Sequence, residues 1–194
     1  MRFSSRDKVV SVLLVVCFLP LLIGCKKTDN KLHRIEQKDF LRYWNNNDSV
    51  KDVWGEKTSE TMGRPGYKTW VSLNGATFAH YEFDDYLDAQ VFFEDEWYKP
   101  LVAFNQNSEF SGYFYNYFEE GNIKLSTSLE KRYTGILLFN GKVHSEDQRS
   151  DVYGGAFLFD NTVVIAYTKS PSAENMKNIE DFLKQFEYPV PKER

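Results

Sequence analysis

From Thr69 to Tyr167 the chain repeatedly sets a short turn signal between β-prone runs, and that pattern limits its fold more than any other feature. In "WVSLNGATFAHYEF" the Asn-Gly pair favours the positive φ angles of a tight hairpin, with apolar-rich segments on both sides. A weaker signal of the same kind lies in "YNYFEEGNIKLS", and a third in "ILLFNGKVHS". A fourth, "AFLFDNTVVIAY", places Asp160-Asn161 between two strongly β-prone runs. Four hairpins predict an antiparallel sheet. Gly154-Gly155 matches neither G-x-G-x-x-G nor Walker A, and within a strand-like run it predicts a bulge.

Three segments carry helical spacing instead. In "LHRIEQKDFLRYW", Leu32, Ile35, Phe40, Tyr43 and Trp44 can share one face, and "NNND" ends the run. In "DDYLDAQVFFEDEWYKP", Asp84 or Asp85 can cap the N-terminus. Leu87, Val91 and Phe92 form its apolar stripe, and Pro100 should end or kink it. Near the C-terminus, Ser170 or Ser172 can cap a helix that presents Met176, Ile179, Phe182, Leu183 and Phe186 on one side, with Tyr188-Pro189 as its stop. The stretch from Ser49 to Tyr67 has little period and reads mainly as loop, held by Trp54. The expected fold class is α+β: an antiparallel sheet with helices packed on one face, an α/β sandwich, over a single domain at 32–194.

The N-terminus is a different kind of segment. Arg2, Arg6 and Lys8 precede the uncharged "VVSVLLVVCFLPLLIG", which is shorter than the ~20 apolar residues that usually span a bilayer. A basic start, an apolar middle and the small Gly24 are the parts of a secretion signal over 1–24. The following "LIGC", Leu22 to Cys25, resembles the lipobox of bacterial lipoproteins. The resemblance implies cleavage before Cys25, diacylglycerol on its thiol, and residence on a bacterial membrane, facing outside the cytoplasm. Residues 25–31 then serve as a polar tether. The other reading of the same apolar run is an uncleaved anchor helix.

Cleavage would leave 170 residues with 21 basic and 27 acidic side chains, a net charge near −6. No basic patch of the kind nucleic acid requires is evident, so no nucleic-acid partner is expected. Cys17 lies inside the removed segment, so with Cys25 acylated no thiol remains for a disulfide, a nucleophile or a metal. His33, His80 and His144 are far apart and lack metal-motif spacing, so neither metal nor cofactor is expected. His144 stands beside Ser145, Glu146 and Asp147, but the strained G-x-S-x-G turn of a serine hydrolase is absent, and no catalytic residue is assigned.

The segments "YEFDDYLDAQVFFE" and "NTVVIAYTKSPSAENMKNIEDFLKQFEYP" resemble parts of small uncharacterised lipoproteins of Gram-positive bacteria, a likeness that brings no activity with it. The closing hairpin and helix also resemble the α/β sandwich of extrinsic photosystem proteins, a similarity of architecture alone. Aromatic residues make up 16% of the chain and concentrate in "SGYFYNYF", where Tyr113, Tyr115 and Tyr117 alternate with Phe114, Asn116 and Phe118. A strand sends the two sets to opposite faces, which makes the tyrosines either a solvent-facing cover of the sheet or a platform for a peptide or glycan. The expected function is that of a membrane-anchored envelope lipoprotein acting as a non-enzymatic binding or accessory module, its partners the membrane and an envelope protein, peptide or glycan. The alternative is a small envelope hydrolase working through carboxylates, with Glu82, Asp84, Glu119 and Glu120 lining a cleft. A solute-binding lipoprotein would usually need two lobes, more than this length supplies.

Overall fold

The computed structural model describes residues 32–106, 110–124, 129–144 and 149–192. The proposed signal 1–24, the tether 25–31 and Cys25 lie outside the described residues. In chain order the elements are α1 (Gln37–Asn45), β1 (Trp54–Lys57), α2 (Thr58–Met62), β2 (Gly66–Leu73), β3 (Ala76–Phe83) and α3 (Tyr86–Phe93). A π turn (Glu94–Tyr98) leads into α4 (Lys99–Gln106), followed by β4 (Phe110–Lys124), β5 (Leu129–His144), β6 (Arg149–Phe159), β7 (Thr162–Thr168) and α5 (Ala173–Gln185). Among the described residues the seven strands form one sheet in the order β1-β2-β3-β7-β6-β5-β4, every neighbouring pair antiparallel.

Two of the four expected hairpins form where the turn signals stand. Asn74 and Gly75 take φ of 51° and 87°, the doubly positive geometry that Asn-Gly favours, and link β2 to β3. Asp160 takes φ 59° between β6 and β7. The other two signals are overridden. β4 runs unbroken through Glu120-Gly121, and β5 runs unbroken through Asn140-Gly141. Both strands keep a regular register, and Asn140 pairs with Tyr113 on one side and Tyr153 on the other. At Gly141 a Cβ would meet the Phe110 ring and the Ser111 carbonyl, so glycine serves close packing there and not a turn. The bulge expected at Gly154-Gly155 is also absent, since the register on both sides is continuous. Gly154 has φ 145° and lies against the backbone of Ala166 and Tyr167, where a side chain does not fit.

The helices do not lie on one face, which corrects the expected packing. Phe40 and Trp44 of α1 and Ile179, Phe182 and Leu183 of α5 pack on sheet residues including Phe78, Ile136, Leu138, Phe157 and Val164. Ala89, Phe92 and Phe93 of α3 pack on Ala79, Tyr81, Leu137, Ala156, Leu158, Val163 and Ile165. Consecutive residues along β6 and β7 thus belong to opposite cores. A strand covered on both faces has no polar face, which is why "AFLF" and "TVVIA" read as continuous apolar runs.

Local signals set the helix ends. Asp85 accepts a hydrogen bond from the Leu87 amide at 2.6 Å, and Ser172 accepts one from the Asn175 amide at 3.1 Å. α5 stops before Tyr188-Pro189. Glu187 takes φ 56°, its amide donates to the Lys184 carbonyl at 3.1 Å, and the Tyr188 amide donates to the Leu183 carbonyl at 2.8 Å, a Schellman ending. On α3 the buried stripe is Ala89, Phe92 and Phe93, while Leu87 and Val91 are exposed, so that expected stripe was rotated. Pro100 does not end the helix either. Its missing N–H and its ring conflict with the Glu96 carbonyl in an α-turn, and the chain widens to the π turn just before it, with the Lys99 amide donating to the Glu94 carbonyl five residues back.

The stretch from Ser49 to Tyr67 contains β1 and α2. Leu32 and Ile35 are buried in irregular chain ahead of α1 and not as part of it.

Candidate functional site

β4 is the last strand of the sheet, with no neighbour on its outer side among the described residues. Its 15 residues at ~3.4 Å each present a long edge of backbone donors and acceptors, the kind of edge that pairs with another chain unless blunted. Tyr113, Tyr115 and Tyr117 lie opposite Asn140, Leu138 and Ile136 of β5. They share the face that carries α1 and α5, and Tyr113 and Tyr115 pack against that core. α5 covers β3, β7 and β6, so the tyrosines stand beyond it at the sheet margin.

Their exposure grades along the strand. Tyr113 and Tyr115 are half-buried, and Tyr117 is 38% exposed. The C-terminal tail closes the Tyr113 end, where the Asn140 side chain donates to the Lys192 carbonyl at 2.9 Å. Burial, reinforced by the neighbouring Tyr115, pushes the Tyr113 hydroxyl above its usual range. Tyr117 donates to the Glu119 carboxylate, and that bond is the main reason its own hydroxyl is held protonated beyond the ordinary phenol range. The opposite set faces the other side of the sheet: Phe114 packs into the other core, Phe118 stacks on Phe93 and Tyr133 while staying 36% exposed, and the exposed Asn116 donates to the Tyr98 hydroxyl at 3.5 Å.

The four carboxylates named for a hydrolase do not line one cleft. Glu82 is on β3 and Glu119 on β4, four strand spacings apart, on the order of 19 Å. Glu82 instead accepts from Arg34 at 2.5 Å. The histidines stay separate as well. His33 lies edge-on to Tyr188, His144 is hydrogen-bonded to Ser111 at 3.2 Å, and His80 is buried in the sheet. Ser145, Glu146 and Asp147 lie outside the described residues. Among the described residues no three His, Cys, Asp or Glu side chains gather as metal ligands. No described helix is long and apolar enough to cross a membrane.

His80 joins the segment before α1 to the sheet. Its Nε2–H donates to the Ile35 carbonyl at 2.7 Å, which leaves Nδ1 as a buried lone pair without a described partner. Arg34, Glu82 and Glu36 surround it. Burial is the largest influence and holds the imidazole below its ordinary value of 6.5, against the opposing pull of the Ile35 bond and the two carboxylates. The folded state therefore favours neutral His80. This contribution to stability is complete above the unfolded value and is lost as the pH falls toward the lower folded one. His80→Gln, which keeps an N–H donor but cannot titrate, should accordingly close part of its stability gap to the wild type as the pH drops from about 7.5 to about 4.5. Urea melts of the pair at several pH values measure this. A constant gap would show that His80 does not titrate between the two states.

At the other end of the sheet Trp54, expected to hold a loop, meets Trp70, which with Lys68 was not singled out by sequence. Trp54 is 42% exposed and stacks on Trp70, with centroids 6.0 Å and ring planes 27° apart, rather than pinning a loop into the core. Lys68 extends over Trp70 at 4.3 Å. The alternation Lys68-Thr69-Trp70 hinted at a strand, but the Trp54 partnership depends on the β1–β2 register. Comparison with protein-family models, with curated proteins and with solved structures finds no match for this chain.

Proposed function

We propose that this chain is a lipid-anchored lipoprotein of the bacterial envelope whose folded domain binds an extended peptide segment without chemically changing it. The anchor reading rests on "LIGC" behind a basic, then apolar, leader. The binding reading rests on one observation: three tyrosines on one face of an edge strand, partly open, beside an outer backbone edge with no described neighbour. Neighbouring rings are two steps of the strand apart, ~6.8 Å, which matches the side-chain repeat of an extended peptide laid along β4. The strand edge supplies main-chain hydrogen bonds, and the tyrosines supply rigid amphipathic contact area at low entropic cost. Glu119 and Glu120, both exposed at the same end, favour a basic or neutral segment over an acidic one.

Replacing Tyr113, Tyr115 and Tyr117 together with serine should abolish capture of envelope proteins from solubilised membranes in a variant that still unfolds cooperatively in urea, at a lower midpoint because Tyr113 and Tyr115 pack on the core. Unchanged capture by the folded variant would rule out the tyrosine face as the binding surface.

A further inference from the structure

The face of the sheet opposite α5 carries a cleft, at the β1–β2 end, of about 560 Å³. We propose that it binds a neutral carbohydrate, seated on the half-buried ring of Trp97 above the buried Tyr81 and hydrogen-bonded by Glu56, Arg64, Lys68 and Glu96.

Local constraints build the cleft from both sides. On one side the buried Thr58 hydroxyl donates to the Arg64 carbonyl at 2.5 Å and closes the loop that carries Arg64, while Gly63 takes φ 68° after α2. On the other side the π turn forced ahead of Pro100 brings Glu96 and Trp97 to the cleft. Widened turns of this kind recur at functional sites because they re-aim side chains that a regular helix would place elsewhere. Trp97 is fixed edge-on to Tyr167 at 5.1 Å, and Tyr81 is buried beneath. Beyond the cleft the Lys68 ammonium lies over Trp70 at 4.3 Å, and Trp54 stacks on Trp70 at the sheet edge.

The charges choose the ligand class. Two cations, Arg64 and Lys68, meet two carboxylates, Glu56 and Glu96, so the cleft has no net preference for an ion. Lys68 already pairs with Glu56 at 3.3 Å, and Arg64 with Asp95 at 3.6 Å. An anion would have to displace a carboxylate from its cation, and a cation would meet Lys68. Sugar hydroxyls instead donate to the carboxylates and accept from the ammonium and guanidinium groups without breaking either pair. A pyranose ring also presents a face of C–H groups, which suits an aromatic floor that ends in polar groups.

Calorimetric titration of the full chain in detergent with cellohexaose, laminarihexaose, mannohexaose and hexa-N-acetylchitohexaose tests this, with polygalacturonate and a lysine-rich peptide as charged competitors. At least one neutral oligosaccharide should bind, with affinity reduced at least ~10-fold in Trp97→Ala and in the exposed-site variant Glu96→Gln. The triple tyrosine-to-serine variant should bind it as the wild type does, which separates this site from the β4 face. The proposal is overturned if none of the four binds more tightly than ~1 mM, if a charged probe displaces the bound sugar from the triple tyrosine-to-serine variant, or if Glu96→Gln leaves the affinity unchanged.

Discussion

Phe182→Ala is expected to lower the unfolding free energy by ~3–5 kcal/mol, the range for deleting a fully enclosed phenylalanine. The side chain is completely buried on α5 at the centre of an aromatic group. Phe78 of β3 and Phe186 approach at 5.2 Å, Tyr43 at 5.5 Å, Trp44 at 5.6 Å and Phe40 at 5.9 Å, all centroid to centroid. Its neighbours come from α1, β3 and α5, so the cavity would be walled by three separate elements, none of which can collapse into it without moving the others. The loss of transfer energy and the cavity term therefore add. Leu87→Ala on exposed α3 surface is the matched control, expected within ~0.5 kcal/mol of wild type. A loss below ~1 kcal/mol for Phe182→Ala in urea melts would mean that α5 does not hold the sheet as described.

Cys25→Ala is expected to abolish lipid incorporation altogether and leave an unprocessed precursor. The thiol is the acceptor in the lipoprotein reading, and Cys17, within the apolar run, is the only other cysteine of the chain. Each acyl methylene contributes ~0.8 kcal/mol of membrane attachment, so two or three long chains bind far more durably than a single reversible one. Growth with radiolabelled palmitate measures the outcome. Labelling undiminished in Cys25→Ala would exclude this cysteine as the anchor, and the proposed address with it.

The two tests bear on different levels of the protein. Phe182 reports on a core whose members were partly visible as a helical stripe, since Ile179, Phe182 and Leu183 recur at helical spacing and are buried together. Cys25 reports on the proposed lipobox, which processing enzymes would read in the leader independently of how the domain folds.

Where the deciding forces were local, the sequence was enough. Asn74-Gly75 turned because both residues accept positive φ, Asp85 and Ser172 capped helices because each side-chain oxygen reaches an amide two or three residues on, and the alternation in "SGYFYNYF" put tyrosines and phenylalanines on opposite faces because strand geometry has period two. Where two distant segments compete for one surface, only the tertiary structure decided. Asn140-Gly141 carries the same turn signal as Asn74-Gly75, yet it stays extended because β4 and β6 pair with it on both sides, and those ladder bonds outweigh a local φ preference. Likewise the apolar runs of β6 and β7 allowed one covered face or two. The choice fell to α3, whose Phe92 and Phe93 reach a face that no spacing within those strands could have assigned to it.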